Sequence, residues 1–388
     1  MKKKIAILGS TGSIGTSTLD IIKKDKKSFE IVLLVANNNY KKLSKQAIEF
    51  SAKNVLIKNE KYYKIVKKKL RGKKIKVFYG NTPINLIIKK KLDYTISAIV
   101  GLAGLQPTLD AIKISKNLAI ANKETIICGW EIISKFIKKY KTNLIPIDSE
   151  HFSIMELTKD LKNSDVEEIV ITASGGPFLN TPNRKLNNIK ASQATKHPNW
   201  KMGKKISIDS ANMMNKVFEL IEAIKLFNFD KKKYKIMIHP QSYVHSIIRL
   251  KNGLIKMILY NTDMKIPISN ILYSGKNTYF NKLPISSKSL NKNSFQTVDK
   301  KKFPSIKLIN KCFSYGTSTP IIVNAANEIL VNLFLDGKIG FLDIVRFLSN
   351  IFNQKDFKKY AKRKVKSVND IKIIDKWARL KIMNMCVK

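Results

Sequence analysis

Apolar and polar positions follow two different rhythms along the chain. Short continuous apolar runs, KIAILG (4–9), EIVLLVAN (30–37), VLI (55–57), KVFY (76–79), YTISAIVG (94–101), LAIAN (118–122) and NLIPID (143–148), alternate with lysine-rich stretches of helical spacing. Unbroken runs of this length suit strands buried on both faces, as in a parallel sheet covered by helices. The pattern predicts a Rossmann-like, doubly wound parallel sheet to about residue 148. VEEIVITASGG (166–176) starts a second region of strands and motif loops that reaches about residue 275. NKLPISSKSLNKNSFQ (281–296) is polar and irregular and reads as a connector. The remainder is helical. Thr319 and Pro320 form a cap and first turn, IIVNAANEILVNLFL (321–335) follows, and Asp336-Gly337 form a stop. FLDIVRFLSNIF (341–352) makes another helix, and Ser367 caps the last. No internal repeat is evident.

Composition narrows the class. An apolar fraction of 44 % with 26 % charge is that of a soluble globular protein, and 388 residues suffice for two or three domains. No apolar run approaches the roughly 18–20 residues that span a bilayer. The basic start MKKKIAILGS reads as a strand, not as a secretion signal. Cys128, Cys312 and Cys386 are odd in number and far apart, which implies neither a disulfide framework nor a CxxC metal site, and a cytoplasmic location is expected. The net charge of +45 raises a nucleic-acid reading. Against it, the basic residues include only six arginines and are spread along the whole chain beside abundant Asn and Ile. Drift toward Lys, Asn and Ile explains the charge better than a specific nucleic-acid surface.

Several short motifs carry chemistry. GSTGSIG places Gly9, Gly12 and Gly15 between a strand and a helix, where free amides at the helix start hold a pyrophosphate. A plain strand–helix turn uses glycine in the same way. The second strand ends in VANNNY without the acid that binds an NAD ribose, so NADPH is favoured over NADH. In IDSEH (147–151), read as the end of an extended strand, Asp148 and Glu150 point the same way and suit a hard ion such as Mg²⁺ or Mn²⁺. A solvated loop would use the same pair. ASGGPF (173–178) exposes the Ser174 hydroxyl and backbone amides, suited to phosphate or to an ordinary turn. His197, Trp200 and Met202 lie in a turn-prone stretch that reads either as a lid or as an anchored loop. ANKET (121–125) follows a strand at the crevice, and His239 and His245 in HPQSYVHS read as structural residues or as residues supporting the site from behind. In ISIDSANMMNKVFE (206–219), one helix beginning near Asp209 or Ser210 puts Asn212, Asn215, Lys216 and Glu219 on a shared face.

Taken together and in this order, ILGSTGSIGTSTLD, ANKET, PIDSEH, SGGPF, HPNWKMGKKISIDSANMMNK with Glu219, HPQSYVHS and VNAANE resemble the 1-deoxy-D-xylulose 5-phosphate reductoisomerase family. The resemblance covers essentially the whole chain. It implies an NADPH-dependent rearrangement and reduction of a sugar phosphate, giving 2-C-methyl-D-erythritol 4-phosphate for isoprenoid precursors. It implies one Mg²⁺ or Mn²⁺ on Asp148, Glu150 and Glu219, and Ser174, Ser210, Asn215 and Lys216 at the substrate phosphate. Lys123, Ser149, His197 and Trp200 match residues around the reacting carbons, with Glu150, Lys123 and His197 the catalytic candidates. Thr11, Gly12, Ser13, Ile14, Asn122, Glu124 and Gly203 match NADPH contacts, joined by Asn37, Asn38 and Asn39 at the second strand. The family usually carries a lysine where Asn38 stands. It also implies a homodimer with an NADPH-binding domain (1–148), a central α/β catalytic domain (149–280), a linker (281–300) and a C-terminal helical bundle (301–388). Two other readings remain at this level. A semialdehyde dehydrogenase-like NADP enzyme needs a catalytic cysteine in a loop, and a basic nucleic-acid binder needs arginines on one face.

Overall fold

The computed structural model describes residues 1–200, 202–276, 290–291 and 293–386. They divide into two compact units. The first comprises Met1–Thr125, Ile133–Phe152 and a later stretch from Met264. The second comprises Ile126–Ile132, Ser153–Asp263 and the C-terminal residues described from 290 onward. Of the expected connector, residues 281–289 and 292 lie outside the described residues. No described helix is long and apolar enough to cross a membrane.

The first unit contains seven strands: β1 (Lys3–Leu8), β2 (Phe29–Ala36), β3 (Asn54–Ile57), β4 (Lys76–Tyr79), β5 (Leu92–Ser97), β6 (Ser115–Ile120) and β7 (Asn143–Pro146). All described pairings are parallel, in the order β4-β3-β2-β1-β5-β6-β7. The chain winds outward from β1 to β4 and returns to β5 beside β1, so the switch point lies at the carboxyl ends of β1 and β5. Such sheets bind their ligands there. Gly9 sits at that end with φ +87°, and a Cβ on it would stand 2.6 Å from the Ala98 carbonyl oxygen beyond β5. Only glycine allows both the left-handed backbone and this approach. The helix Lys265–Tyr273, expected in the catalytic domain, belongs instead to the first unit. Tyr273 donates to Asp25 Oδ2 at 3.0 Å, and its ring meets Phe29 edge-on at 5.3 Å. Lys3 donates to the Leu272 carbonyl at 2.6 Å. These are contacts at long sequence separation, which local periodicity cannot reveal.

The second unit holds a five-stranded mixed sheet of β8 (Val166–Ala173), β9 (Tyr234–Ile238), β10 (Val244–Leu250), β11 (Ile255–Leu259) and β12 (Gln296–Thr297). Its order is β11-β10-β8-β9-β12, with β8 and β9 parallel and the other pairings antiparallel. The β12 strand falls inside the stretch expected to be linker. Ile154, Ile169, Ile171, Leu220, Tyr234 and Ile248 belong to one core cluster of this unit. The C-terminal helices Thr319–Leu335, Phe341–Asn350, Phe357–Ala361 and Val368–Cys386 complete it. Thr319 is the first helical residue and Ser318 the cap position, one residue earlier than expected. The Ser318 hydroxyl is drawn to the Arg363 carbonyl at 2.6 Å instead of capping its own helix. Ser367 does cap the last helix, accepting from Asp370 N at 3.3 Å while donating to Asp370 Oδ2 at 2.9 Å.

Two expected elements differ. Residues 206–219 do not form one helix: Lys204–Ala211 ends and Met214–Leu226 begins, with Met213 left-handed between them at φ 64°. Asn212 accepts from Met214 N at 3.0 Å, and its carbonyl accepts from the Ser305 hydroxyl at 2.6 Å. A tertiary partner thus stabilises the break. Likewise Glu150 is not on extended chain, because a helix begins at Ser149. Asp148 therefore precedes the helix and Glu150 lies in its first turn, where the dipole favours an acidic side chain.

Candidate active site

In the first unit the glycine turn is braced from below. Gly9 N and Ser10 N both donate to the Val35 carbonyl at 2.9 Å. Ser10 Oγ donates to Gln46 Oε1, and Gln46 Nε2 returns a bond to the Ser10 carbonyl, each at 2.9 Å. Thr11, Gly12, Ser13 and Ile14 then lead into the helix Ser13–Lys24, whose cap residue Gly12 offers no side-chain acceptor. Its first amides are consequently open to a pyrophosphate, and the turn fits the dinucleotide. Asn37, Asn38 and Asn39 are exposed at the end of β2. Asn38 Oδ1 accepts from Asn59 at 2.8 Å, and Asn39 caps the next helix by accepting from Lys42 N at 3.1 Å.

The same unit positions the ANKET residues. Asn122 caps the helix Lys123–Tyr140, accepting from Thr125 N at 3.1 Å and donating to the Gly101 carbonyl at 2.9 Å and to that of Ile99. Its amide is thus engaged in shaping the turn after β5. Lys123 and Glu124 are buried in the first turn of that helix. Lys123 Nζ stands 2.7 Å from Asp148 Oδ2, and Ser149 donates to Glu150 Oε2 at 2.6 Å. Two carboxylates of the expected ligand set are therefore oriented, one by an ammonium and one by a hydroxyl. His151, fully buried, directly follows them.

In the second unit, β8 is followed by Ser174-Gly175-Gly176. Gly176 has φ +69°, and a Cβ there would lie 2.8 Å from the Ser210 carbonyl oxygen, so the loop packs directly against the end of the helix Lys204–Ala211. Gly203 caps the start of that helix. His197 Nδ1 accepts from the backbone N–H groups of Asn199 and Trp200 at 3.1 and 3.0 Å, which assigns the ring proton to Nε2. That proton is donated to Ser174 Oγ at 3.0 Å, where Gly176 N also donates at 3.1 Å. With both lone pairs engaged, the Ser174 hydroxyl has its own proton to give, the polarity a phosphate oxygen requires. On the helix Met214–Leu226, Asn215 and Lys216 both donate to the buried Glu219 carboxylate.

Some contributors were not legible. Asn199 ties the candidate lid down, donating to the Pro240 carbonyl at 2.6 Å and to Ser242 Oγ at 2.9 Å, and accepting from Thr262 at 3.2 Å. Trp200 packs on His245 at 5.9 Å, and His245 on Tyr260 at 4.1 Å. Glu222 is 1 % exposed one turn beyond Glu219. Their i, i+3 spacing was the available signal. His239 keeps its structural reading: it accepts from Tyr243 N at 3.2 Å, contacts the Ser294 carbonyl at 3.0 Å and stacks on Phe295. Burial lowers its pKa below the usual histidine value.

The first unit offers the carboxylates Asp148 and Glu150 and the second offers Glu219. Carboxylate oxygens of this kind are hard, anionic donors that suit Mg²⁺ or Mn²⁺ and not a soft metal. Cysteine chemistry is disfavoured, since burial pushes the Cys312 thiol up to about 12 and raises that of Cys386.

Comparison with known proteins is unambiguous. Family models described as 1-deoxy-D-xylulose 5-phosphate reductoisomerase, its C-terminal domain, and the DXP reductoisomerase C-terminal domain match residues 5–129, 144–227 and 259–381. The enzyme of that name from Pelagibacter ubique is 48 % identical over 387 residues, covering 99 % of this chain and all of the relative. A Wolbachia pipientis counterpart is 40 % identical, covering 97 % of this chain and 96 % of its own. Among solved structures, the reductoisomerase from Zymomonas mobilis with NADPH superposes with a TM-score of 0.91 at 35 % identity, covering 100 % of this chain and 99 % of that one. A second, with NADPH, fosmidomycin and magnesium, has a TM-score of 0.92 at 32 % identity, covering 99 % and 98 %.

Proposed function

The chain belongs to the 1-deoxy-D-xylulose 5-phosphate reductoisomerase family, and from that premise we propose which of its residues perform the reaction. The reaction is the NADPH- and divalent-metal-dependent conversion of 1-deoxy-D-xylulose 5-phosphate to 2-C-methyl-D-erythritol 4-phosphate. We assign Asp148, Glu150 and Glu219 to the metal, and Ser174, Ser210, Asn215 and Lys216 to the substrate phosphate. Lys123, Ser149, His197 and Trp200 are assigned to the reacting carbons, as the family resemblance implies. Thr11, Gly12, Ser13, Ile14, Asn37, Asn38, Asn39, Asn122, Glu124 and Gly203 take the cofactor. The bound ion supplies Lewis acidity to the substrate oxygens, and NADPH supplies the hydride.

The protein groups do the rest. Lys123 holds the Asp148 carboxylate in one orientation and brings a fixed positive charge to oxygens on which negative charge develops. Glu150, its carboxylate held by Ser149, is assigned to carry a proton between substrate hydroxyls. His197 sets the direction of the Ser174 proton and fixes the lid backbone through Asn199 and Trp200. A closed lid keeps water from the cleaved fragments. The observation that carries this reading is the paired engagement Lys123–Asp148 and Ser149–Glu150. Together these hold two neighbouring carboxylates in set orientations, which supports their assignment to the metal.

We also infer a homodimer, as the family resemblance implies, and a cytoplasmic location, as cysteines without a disulfide spacing suit. The expected division into 1–148, 149–280 and 301–388 is also our reading, with the helix Lys265–Tyr273 moved to the first part and β12 taken out of the 281–300 linker. The test follows NADPH oxidation with 1-deoxy-D-xylulose 5-phosphate, with and without Mg²⁺ or Mn²⁺. Oxidation that ignores chelation of the metal, or its absence under all conditions, overturns the assignment.

A further inference from the structure

We propose that Lys42 is the residue that reads the 2′-phosphate of the cofactor, and so sets the preference for NADPH over NADH in this chain. The inference rests on the nucleotide reading of the glycine turn. In a doubly wound sheet the adenosine ribose lies between the glycine turn after β1 and the end of β2. The end of β2 carries neither an acid nor a cation, only Asn37, Asn38 and Asn39. The Oδ1 atoms of Asn38 and Asn39 are taken by Asn59 and by the cap bond, and these neutral amides supply no charge to a phosphate.

Lys42 lies in the first turn of the helix Tyr40–Glu49, immediately beyond that end. Its backbone N–H is held by Asn39, which fixes where its side chain starts. From there the side chain reaches back across to the glycine turn: Nζ donates to the Thr11 carbonyl at 3.2 Å and to Thr16 Oγ1 at 2.8 Å. The ammonium therefore sits between the two elements that flank the ribose. An ammonium has three N–H donors, and these contacts use two. The third, with the full positive charge, is placed for a phosphate oxygen, and the two acceptors hold the stem in position beforehand. NADH has no phosphate there and gains nothing from the charge.

Two other lysines make the assignment testable. Lys41 is the exposed neighbour on the same helix and carries the same charge. Lys58, just after β3, is held on Asn81 Oδ1 at 2.8 Å, and burial lowers its pKa. The experiment titrates NADPH and NADH into the full chain by nicotinamide fluorescence, for wild type, Lys42→Ala, Lys41→Ala and Lys58→Ala, with circular dichroism confirming the fold. We expect Lys42→Ala to weaken NADPH at least tenfold and leave NADH within about twofold. Lys41→Ala should leave both within about twofold. An equal loss for both nucleotides, a Lys41→Ala loss as large as that of Lys42→Ala, or an NADPH-selective loss on Lys58→Ala instead, each overturns the proposal. Failure of the wild type to bind either nucleotide overturns the nucleotide reading itself, a result distinct from all of these.

Discussion

Asn327→Ala removes a buried hydrogen bond between the helix Thr319–Leu335 and the helix that carries Ser210. Asn327 is fully buried and Asp209 is 2 % exposed; Nδ2 of the first donates to Oδ1 of the second at 2.7 Å. The other Asp209 oxygen takes Lys205 Nζ at 2.9 Å. A hydrogen bond to a charged group contributes about 1.5–3 kcal/mol. The vacated amide leaves a small void that costs on the order of 1 kcal/mol more. Against this, Asn327 Oδ1 is buried without a hydrogen-bond partner among the described residues, and removing it recovers about 1–2 kcal/mol of desolvation. The net expectation is a loss of about 2 kcal/mol. Urea denaturation followed by circular dichroism measures it, and a double-mutant cycle with Asp209→Ala isolates the pair. We expect a coupling of about 1.5–3 kcal/mol and a raised KM for the sugar phosphate, because Ser210 directly follows Asp209. A loss below about 0.5 kcal/mol, or independent effects in the cycle, refutes the reasoning.

Other consequences can be checked alongside. Glu150→Gln should abolish turnover while NADPH affinity, read by fluorescence, stays near normal; retained turnover would remove its proton-carrying role. Gly176→Ala forces a left-handed alanine against the Ser210 carbonyl, so a loss of about 2–3 kcal/mol is expected in denaturant, with weaker substrate binding. His239 has a depressed pKa, so the unfolded chain binds its proton first. Its contribution is complete above the unfolded value of about 6.5 and is lost as pH falls from there through the lower folded value. His239→Asn should flatten the stability profile across that window, and an unchanged slope would exclude His239 as its source.

Particular residues show where sequence reasoning reached and where it stopped. The seven parallel strands were legible because each is a short, unbroken apolar run, and the glycine turn because its chemistry is local. The retained carboxylates Asp148, Glu150 and Glu219 were legible as residue types, but their settings were not. Glu150 was read on extended chain, since five residues hold too little periodicity to reveal a helix start at Ser149. The single helix expected from about Asp209 to Glu219 is broken at Met213, which no glycine or proline announces. Ser210 and Glu219 therefore sit on different helices.

What the sequence determined by itself was the strands of the first sheet, the buried character of those inside its edge strands β4 and β7, the glycine turn and the family of the enzyme. These follow from side-chain chemistry repeated over a few residues. What only the tertiary structure decided was which distant groups meet: Ser305 with Asn212, Asn327 with Asp209, Tyr273 with Asp25, and Lys42 with Thr11 and Thr16. Such pairs span up to 248 residues. They form because buried polar groups must find partners once the cores have closed, and no local pattern of hydrophobic and polar positions specifies which partner each will find.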